Sequence, residues 1–301
     1  MNSPDGAFRL SVVVVCYEMA PQIANTLRSL LPPYQREIAG NDYEIILVDN
    51  GSTRRLDEAV QQIAPNIRYV HIPPNEANPN PAAALNRGVR LARAPLLCLM
   101  IDGARLLTPA ALAWGLRLMA LGEETVVEVR GWHLGPKFQP ESIAEGYDEV
   151  AERALLESVR WPENGYRLFD IAASSAQTRL GLSAKTTESN CLFMTRTFFA
   201  RLGGMDERSR TPGGGLVNLD FFGRAVAVAK TVFSVLGEGT FHQVHGGAAT
   251  GLTRSGLHEK FSQWRAESEK LGHLIAPDYR FILAGHLPPE CANWLARNAV
   301  T

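Results

Sequence analysis

The sequence predicts an α/β fold: a mostly parallel sheet flanked by helices. Three observations carry this expectation. Short, β-branched apolar runs of strand length recur at Leu10–Cys16, Tyr43–Val48, Ile67–Ile72 and Pro95–Ile101. Helical patterns separate them, over Pro21–Leu31, from Thr53 through Ile63, and over Pro81–Ala92. Turn residues close the strands, most plainly Asp49-Asn50-Gly51-Ser52 and Asp102-Gly103. Strands joined by helices of this length imply right-handed crossovers and therefore parallel pairing.

The elements follow in order. Pro21 suits the first turn of the first helix, and Pro32-Pro33 ends it. Thr53 is placed to cap the second helix. The Pro81–Ala92 segment has apolar residues at helical spacing. Beyond residue 106 the pattern loosens. A helix is expected over Pro109–Ala120, a strand over Glu124–Arg130, and an exposed helix over Ser142–Val159. Phe169–Thr187 reads as loop, Cys191–Met194 as strand and Thr197–Leu202 as a short helix. A helix over Phe221–Ala229 and a last core strand over Thr231–Leu236 come next. Gly246–Ser255 is a small-residue loop, and Leu257–Leu271 and Glu290–Ala299 are C-terminal helices. No repeat, low-complexity tract or linker divides the chain, so one domain over 1–301 is expected.

With 301 residues, the chain can bury a large core without disulfides or metals to hold it. Its net charge of −1 argues against a general nucleic-acid binder. Cys16, Cys98, Cys191 and Cys291 are far apart and form no CxxC, which favours buried free thiols and a reducing, cytoplasmic setting. The apolar run at Ser11–Tyr17 is too short for a signal peptide. No run approaches the about 18 apolar residues of a membrane span, which leaves peripheral membrane contact open.

Ligands of open parallel sheets bind outside the carboxyl ends of the strands. Tyr17-Glu18, Asp49-Asn50 and Asp102 all follow such ends, so they are expected to converge on one edge.

At Tyr43-Glu-Ile-Ile-Leu-Val-Asp-Asn-Gly-Ser-Thr53 the chain resembles the GT-A-fold family 2 type glycosyltransferases, bacterial enzymes that use nucleotide-sugars. Leu10–Tyr17, Asn86-Arg-Gly-Val-Arg-Leu-Ala92, Asp102, Gly203-Gly-Met-Asp-Glu207, Asp220 and Arg224 match further family motifs, in family order, over roughly residues 9–245. The resemblance implies a nucleotide-sugar-binding half (9–105), an acceptor-side half (106–250) and a C-terminal helical extension (251–301). It implies transfer of a sugar from a nucleotide-diphosphate donor, UDP-sugars being favoured, to a hydroxyl of a glycan, lipid-linked or protein acceptor.

The resemblance assigns residues as well. Asp49 would accept an N–H of the donor base; a helix-capping Asp is the alternative. Tyr17, Glu18, Asn50 and Asn80 join the donor-binding candidates. Asp102 would hold Mn²⁺ or Mg²⁺, hard ions that prefer oxygen and neutralise the leaving diphosphate. Relatives carry Asp-x-Asp, but here Asp102-Gly103-Ala104 lacks the second carboxylate. His245, then His242, are candidates to complete the metal set, against a paired structural histidine. Arg254, after the Gly/Ala loop, could neutralise phosphate charge, or belong to a plain surface loop.

The usual Glu-Asp pair aligns with Val217-Asn218, and Asn is no general base. Asp220 and Glu188 are therefore the candidate catalytic carboxylates, with neither as a third possibility and an inverting reaction as the family expectation. Gly213–Gly215 could shape the acceptor pocket or be a flexible connection. Trp132 and His133 could contact a sugar, with core packing the alternative for Trp132. Two other functions compete. A nucleotidyltransferase would need a Gly-rich basic signature where Cys16-Tyr-Glu-Met-Ala20 stands. A catalytically impaired sugar- or nucleotide-binding relative would fit the two missing carboxylates.

Overall fold

The apolar runs form the strands expected of them. The computed structural model describes residues 7–298 except 57, 59–61, 247–253 and 276, and omits the side chains of residues 254, 255 and 257. Strand β1 (Leu10–Cys16) leads into helix α1 (Ala20–Leu30), then β2 (Tyr43–Asn50) and β3 (Ile67–Ile72). Helix α2 (Pro81–Leu91), β4 (Leu96–Met100), β5 (Arg105–Leu107) and α3 (Ala111–Met119) follow. The long β6 (Thr125–Leu134) precedes α4 (Gln139–Ala144), α5 (Glu149–Ser158), β7 (Ala172–Ser174) and β8 (Leu192–Thr195). Helices α6 (Arg196–Arg201) and α7 (Val217–Val228), β9 (Thr231–His242), α8 (Arg254–Leu271), β10 (Ile282–Gly285) and α9 (Pro289–Arg297) complete the order.

The main sheet runs β10-β9-β6-β8-β4-β1-β2-β3, with β5 paired to β9 and β7 to β6. β1 is parallel to β2 and β4, and β9 is parallel to β6 and β10. β8 alone on this path runs the other way, antiparallel to both β4 and β6. The carboxyl ends of β1, β2, β4, β6 and β9 therefore share one edge, and the chain entering β8 arrives there too. β1 and β2 are buried along their full lengths, as strands covered on both faces must be. Two apolar layers cover the sheet: α1 and α3 pack on one face, α2 and α7 on the other. Gly88 lets α2 lie against β1, because a Cβ there would stand 2.4 Å from Val13.

Several expectations need correction. Thr53–Leu56 are not helical, so no helix begins at Thr53, and the segment that would continue it lies largely outside the described residues. The helix expected over Ser142–Val159 is two, broken at Gly146 (φ 94°), a conformation that glycine adopts without cost. Within Phe169–Thr187 the strand β7 forms by pairing with β6. β9 continues past Leu236 to His242 through a register irregularity between Ser234 and Gly239, beyond which β5 pairs with it. Asp148 caps α5 by accepting from the Val150 and Ala151 amides. The four cysteines are buried thiols, as expected. Among the described residues no helix is long and apolar enough to cross a membrane.

Candidate active site

The sheet edge brings three polar groups together as the strand order requires. Asp102 follows β4, where Gly103 is needed: a Cβ there would meet the Val15 carbonyl oxygen at 2.5 Å. His242 ends β9, and His245 lies three residues on. The Nε2 of His242 is 3.0 Å from Asp102 Oδ2 and 3.1 Å from His245 Nε2, and His245 Nε2 is 3.8 Å from Asp102 Oδ1. Ligand atoms about 2.1 Å from one ion on adjacent octahedral corners stand about 3 Å apart, so this spacing suits a small divalent cation. One carboxylate and two imidazoles are also a fitting donor set for Mn²⁺. Among the described residues, Asp102, His242 and His245 are the one cluster that could hold a metal.

The triad is held from behind. Gln243 donates its amide to the Ala104 carbonyl (2.9 Å), and Asn25 on α1 donates to Gln243 Oε1 (3.0 Å). Gln22 donates to the Val244 carbonyl (2.7 Å), and the Val244 amide donates to Glu152 on α5 (2.8 Å). His242 and Gln139 Oε1 are also in contact through Nδ1. Arg105 Nε donates to Asp102 Oδ2 at 3.0 Å, and the Ala104 amide donates to Oδ1 at 3.1 Å. Burial pushes the Asp102 carboxyl up, but the neighbouring His242 and Arg105 outweigh it and hold the group well below the usual range. Burial and Arg105 push His242 down to about 4, against the pull of Asp102. At neutral pH the site therefore presents an ionised carboxylate and a neutral imidazole, the forms that bind metal.

Asp49 ends β2 differently. It is fully buried; Oδ1 accepts from the Ser52 amide (3.0 Å) and Oδ2 from the Tyr69 hydroxyl (2.7 Å). The neighbouring Asn50 donates to the Asn78 carbonyl, and its buried Oδ1 has no partner. Glu18 (φ 49°) accepts from the Thr53 amide (2.6 Å), and that bond draws its carboxyl below the ordinary value. Tyr17 stands exposed beside it.

Some candidates take other roles. Asn80 is fully buried; its Oδ1 caps α2 through the Ala82 amide and its Nδ2 donates to the Asp206 carbonyl, so it is no donor contact. Asp220 is buried as well. Its oxygens accept from Arg224 Nε (2.8 Å) and the Leu274 amide (2.9 Å), so it braces α7 rather than facing an acceptor as a base. Trp132 packs in the core against Phe169, Phe241 and Trp294, out of reach of a sugar. The side chain of Arg254, with residues 247–253, lies outside the described residues.

Glu188 is half-buried, ahead of β8 on the ligand edge, and accepts from Asn218 Nδ2 at 3.0 Å. Asn86 meets the Gly203–Glu207 motif, exchanging bonds with the Met205 backbone and donating to Glu207.

Two residues of the site, Arg105 and Gln139, are not marked by the motifs. Arg105 carried one usable signal: a lone charge opening the apolar pair Leu106-Leu107, directly after the Asp102 turn. Gln139 carried none, since only tertiary packing brings α4 over β9.

Residues 11–104, which hold β1 to β4 and Asp102, match the glycosyl transferase family 2 model. Over that segment the chain is similar to the glycosyl transferase family 2 proteins. Over 94 residues, 31% of the chain, it is 32% identical to validoxylamine A glucosyltransferase of Streptomyces hygroscopicus subsp. jinggangensis, and the match spans 22% of that relative. The mannosyltransferase PcManGT of Pyrobaculum calidifontis, solved with GDP-Man and Mn²⁺, superposes with a TM-score of 0.53 at 17% identity, covering 99% of this chain and 71% of that one. S. aureus TarS 1-349 with UDP-GlcNAc gives 0.52 at 12% identity, covering 86% and 66%. At these identities the likeness establishes the fold of the glycosyltransferase domain, GT-A, over most of the chain.

Proposed function

We propose that this protein is a glycosyltransferase that moves a sugar from a nucleotide-diphosphate donor to an acceptor hydroxyl. The observation that carries the reading is the convergence of Asp102, His242 and His245 on the edge where the family 2 segment ends. These three residues would hold Mn²⁺ or Mg²⁺, whose chemistry there is to neutralise the charge gathering on the leaving diphosphate. That a protein of similar fold was solved with GDP-Man and Mn²⁺ supports a metal-assisted reading. Asp49, with Asn50, Tyr17 and Glu18 around it, is the proposed base-binding corner: each Asp49 oxygen accepts one internal bond and keeps a second lone pair. UDP is the favoured donor nucleotide.

Glu188 is the proposed general base. It lies on the ligand edge, and Asn218 orients it by donating to Oε2 while Oε1 stays available to accept the acceptor's hydroxyl proton. In-line attack by that hydroxyl would invert the anomeric centre. The acceptor is a glycan, lipid-linked or protein hydroxyl. Calorimetric titration with UDP, GDP and dTDP, with and without Mn²⁺, tests the reading. One nucleotide should bind, and only with the metal. A folded protein that binds none of them refutes it.

A further inference from the structure

Arg105, His242 and His133 stand opposite one another in the register of β5, β9 and β6, so their side chains leave the same face. Arg105 spends Nε on Asp102, but neither Nη has a hydrogen-bond partner among the described residues. The side chain is 10% exposed, on the floor of the site. Gly131 makes room for it. A Cβ at Gly131 would lie 3.2 Å from Arg105 Nη1 and 3.2 Å from Gln177 Nε2.

Three residues nearby also hold donors that their other bonds leave unspent. Gln177 spends its oxygen on the Gly131 amide (2.7 Å), which leaves Nε2 to donate. Gln139, 3% exposed, turns its oxygen to His242 and keeps a buried Nε2 without a partner. The Gln139 amide donates to His133 Nδ1 (3.0 Å), which places the neutral ring's proton on Nε2. The nearby carboxylate, Asp102, is engaged by Ala104, Arg105 and His242. The unspent groups are donors, so a sugar hydroxyl, which donates as well as accepts, matches them less well than a group that only accepts. A group that only accepts, with negative charge, would satisfy every partner.

We propose that Arg105, Gln177, Gln139 and His133 form an anion-recognition site beside the metal-ligand triad. It takes a negatively charged oxygen group of the donor: a phosphate of the leaving diphosphate, or the carboxylate of an acidic sugar. This rests on the glycosyltransferase reading and extends it, because a guanidinium next to Asp102 supplies fixed positive charge where the second family carboxylate is missing.

The test is calorimetry on the full chain with Mn²⁺, using UMP, UDP, UDP-glucose and UDP-glucuronate, with GMP, GDP, GDP-mannose and GDP-mannuronate alongside. If the site takes phosphate, Arg105→Gln weakens the diphosphate relative to the monophosphate by about 10- to 100-fold, the range of a charge-assisted hydrogen bond. If it takes a sugar carboxylate, the same variant lowers the uronate relative to the neutral sugar and leaves the diphosphate ratio alone. Gly131→Ala fills the space and removes no charge; it should shift the same ratio in the same direction, and it decides the matter if Arg105→Gln does not fold. Unchanged ratios, or a uniform loss across all probes, overturn the anion site while leaving the donor reading intact. A wild-type protein that binds neither series overturns both.

Discussion

Two carboxylates end two parallel strands of this sheet, and their surroundings differ in kind. Asp49, in the last pleat of β2, is sealed from solvent and meets neutral donors, the Ser52 amide and the Tyr69 hydroxyl. Asp102, after β4, keeps 22% of its side chain exposed and meets a guanidinium and two imidazoles. The same strand-end position thus gives one carboxylate that holds a turn together and one that can bind a cation. What separates them is the strand beyond. β3 brings Tyr69 to Asp49, whereas β5 and β9 bring Arg105, His242 and His245 to Asp102.

The comparison can be broken or sharpened by mutation. The largest effect is expected at the third carboxylate of the edge. Glu188→Gln keeps an oxygen for Asn218 but cannot take a proton, so turnover should fall about 10²- to 10⁴-fold with nucleotide affinity unchanged. Undiminished turnover would remove Glu188 from the reaction. Asp102→Asn should weaken metal-dependent nucleotide binding by about 100-fold in calorimetry, and shift the urea midpoint little, because the amide oxygen still accepts from Ala104. Asp49→Ala should do the reverse in stability. It leaves the buried Ser52 amide without its acceptor, at about 1–3 kcal/mol, and the half-buried Tyr69 hydroxyl with one fewer partner, read from urea unfolding. If Asp102→Asn proved the more destabilising of the two, the contrast drawn here would fail.

The smallest effect lies behind the edge, on β9. Glu238 accepts from Thr108, the Ala110 amide (3.2 Å) and Tyr166 (2.7 Å), yet burial outweighs these donors and pushes its carboxyl up from 4.5 to about 7. The folded chain holds this proton more tightly than the unfolded one. The contribution to stability is therefore complete below the unfolded value of 4.5 and disappears as pH rises through about 7. Glu238→Gln should flatten the fall in stability between about pH 5 and pH 8, measured by urea midpoints at each pH. An unaltered slope would mean that burial does not raise this group.

Much of the first half of the chain was legible in the residues. β-Branched runs bounded by turn residues specify buried parallel strands locally, and parallel pairing then forces Cys16, Asp49 and Met100 to finish on one edge. That is why Asp49 and Asp102 could be placed beforehand, and why His242 and His245, after another strand, could be named as partners. The second half was less legible because its elements are made by distant partners. β5 and β10 exist through pairing with β9, and β9 runs on past an irregularity that breaks its own pattern.

By itself, then, the sequence determined the alternation of strands and helices and the carboxylates at their ends, since both follow from spacing along the chain. Only the tertiary structure decided what each polar side chain does. Asp220 matches a family motif and Asn80 was a donor-binding candidate, but they are consumed by Arg224, Leu274, Ala82 and Asp206. Arg105, which local pattern barely marks, stands on the floor of the site with two nitrogens unspent. The physical reason is that a hydrogen bond's partner is set by three-dimensional proximity and burial, and neither is encoded in the periodicity of a single segment.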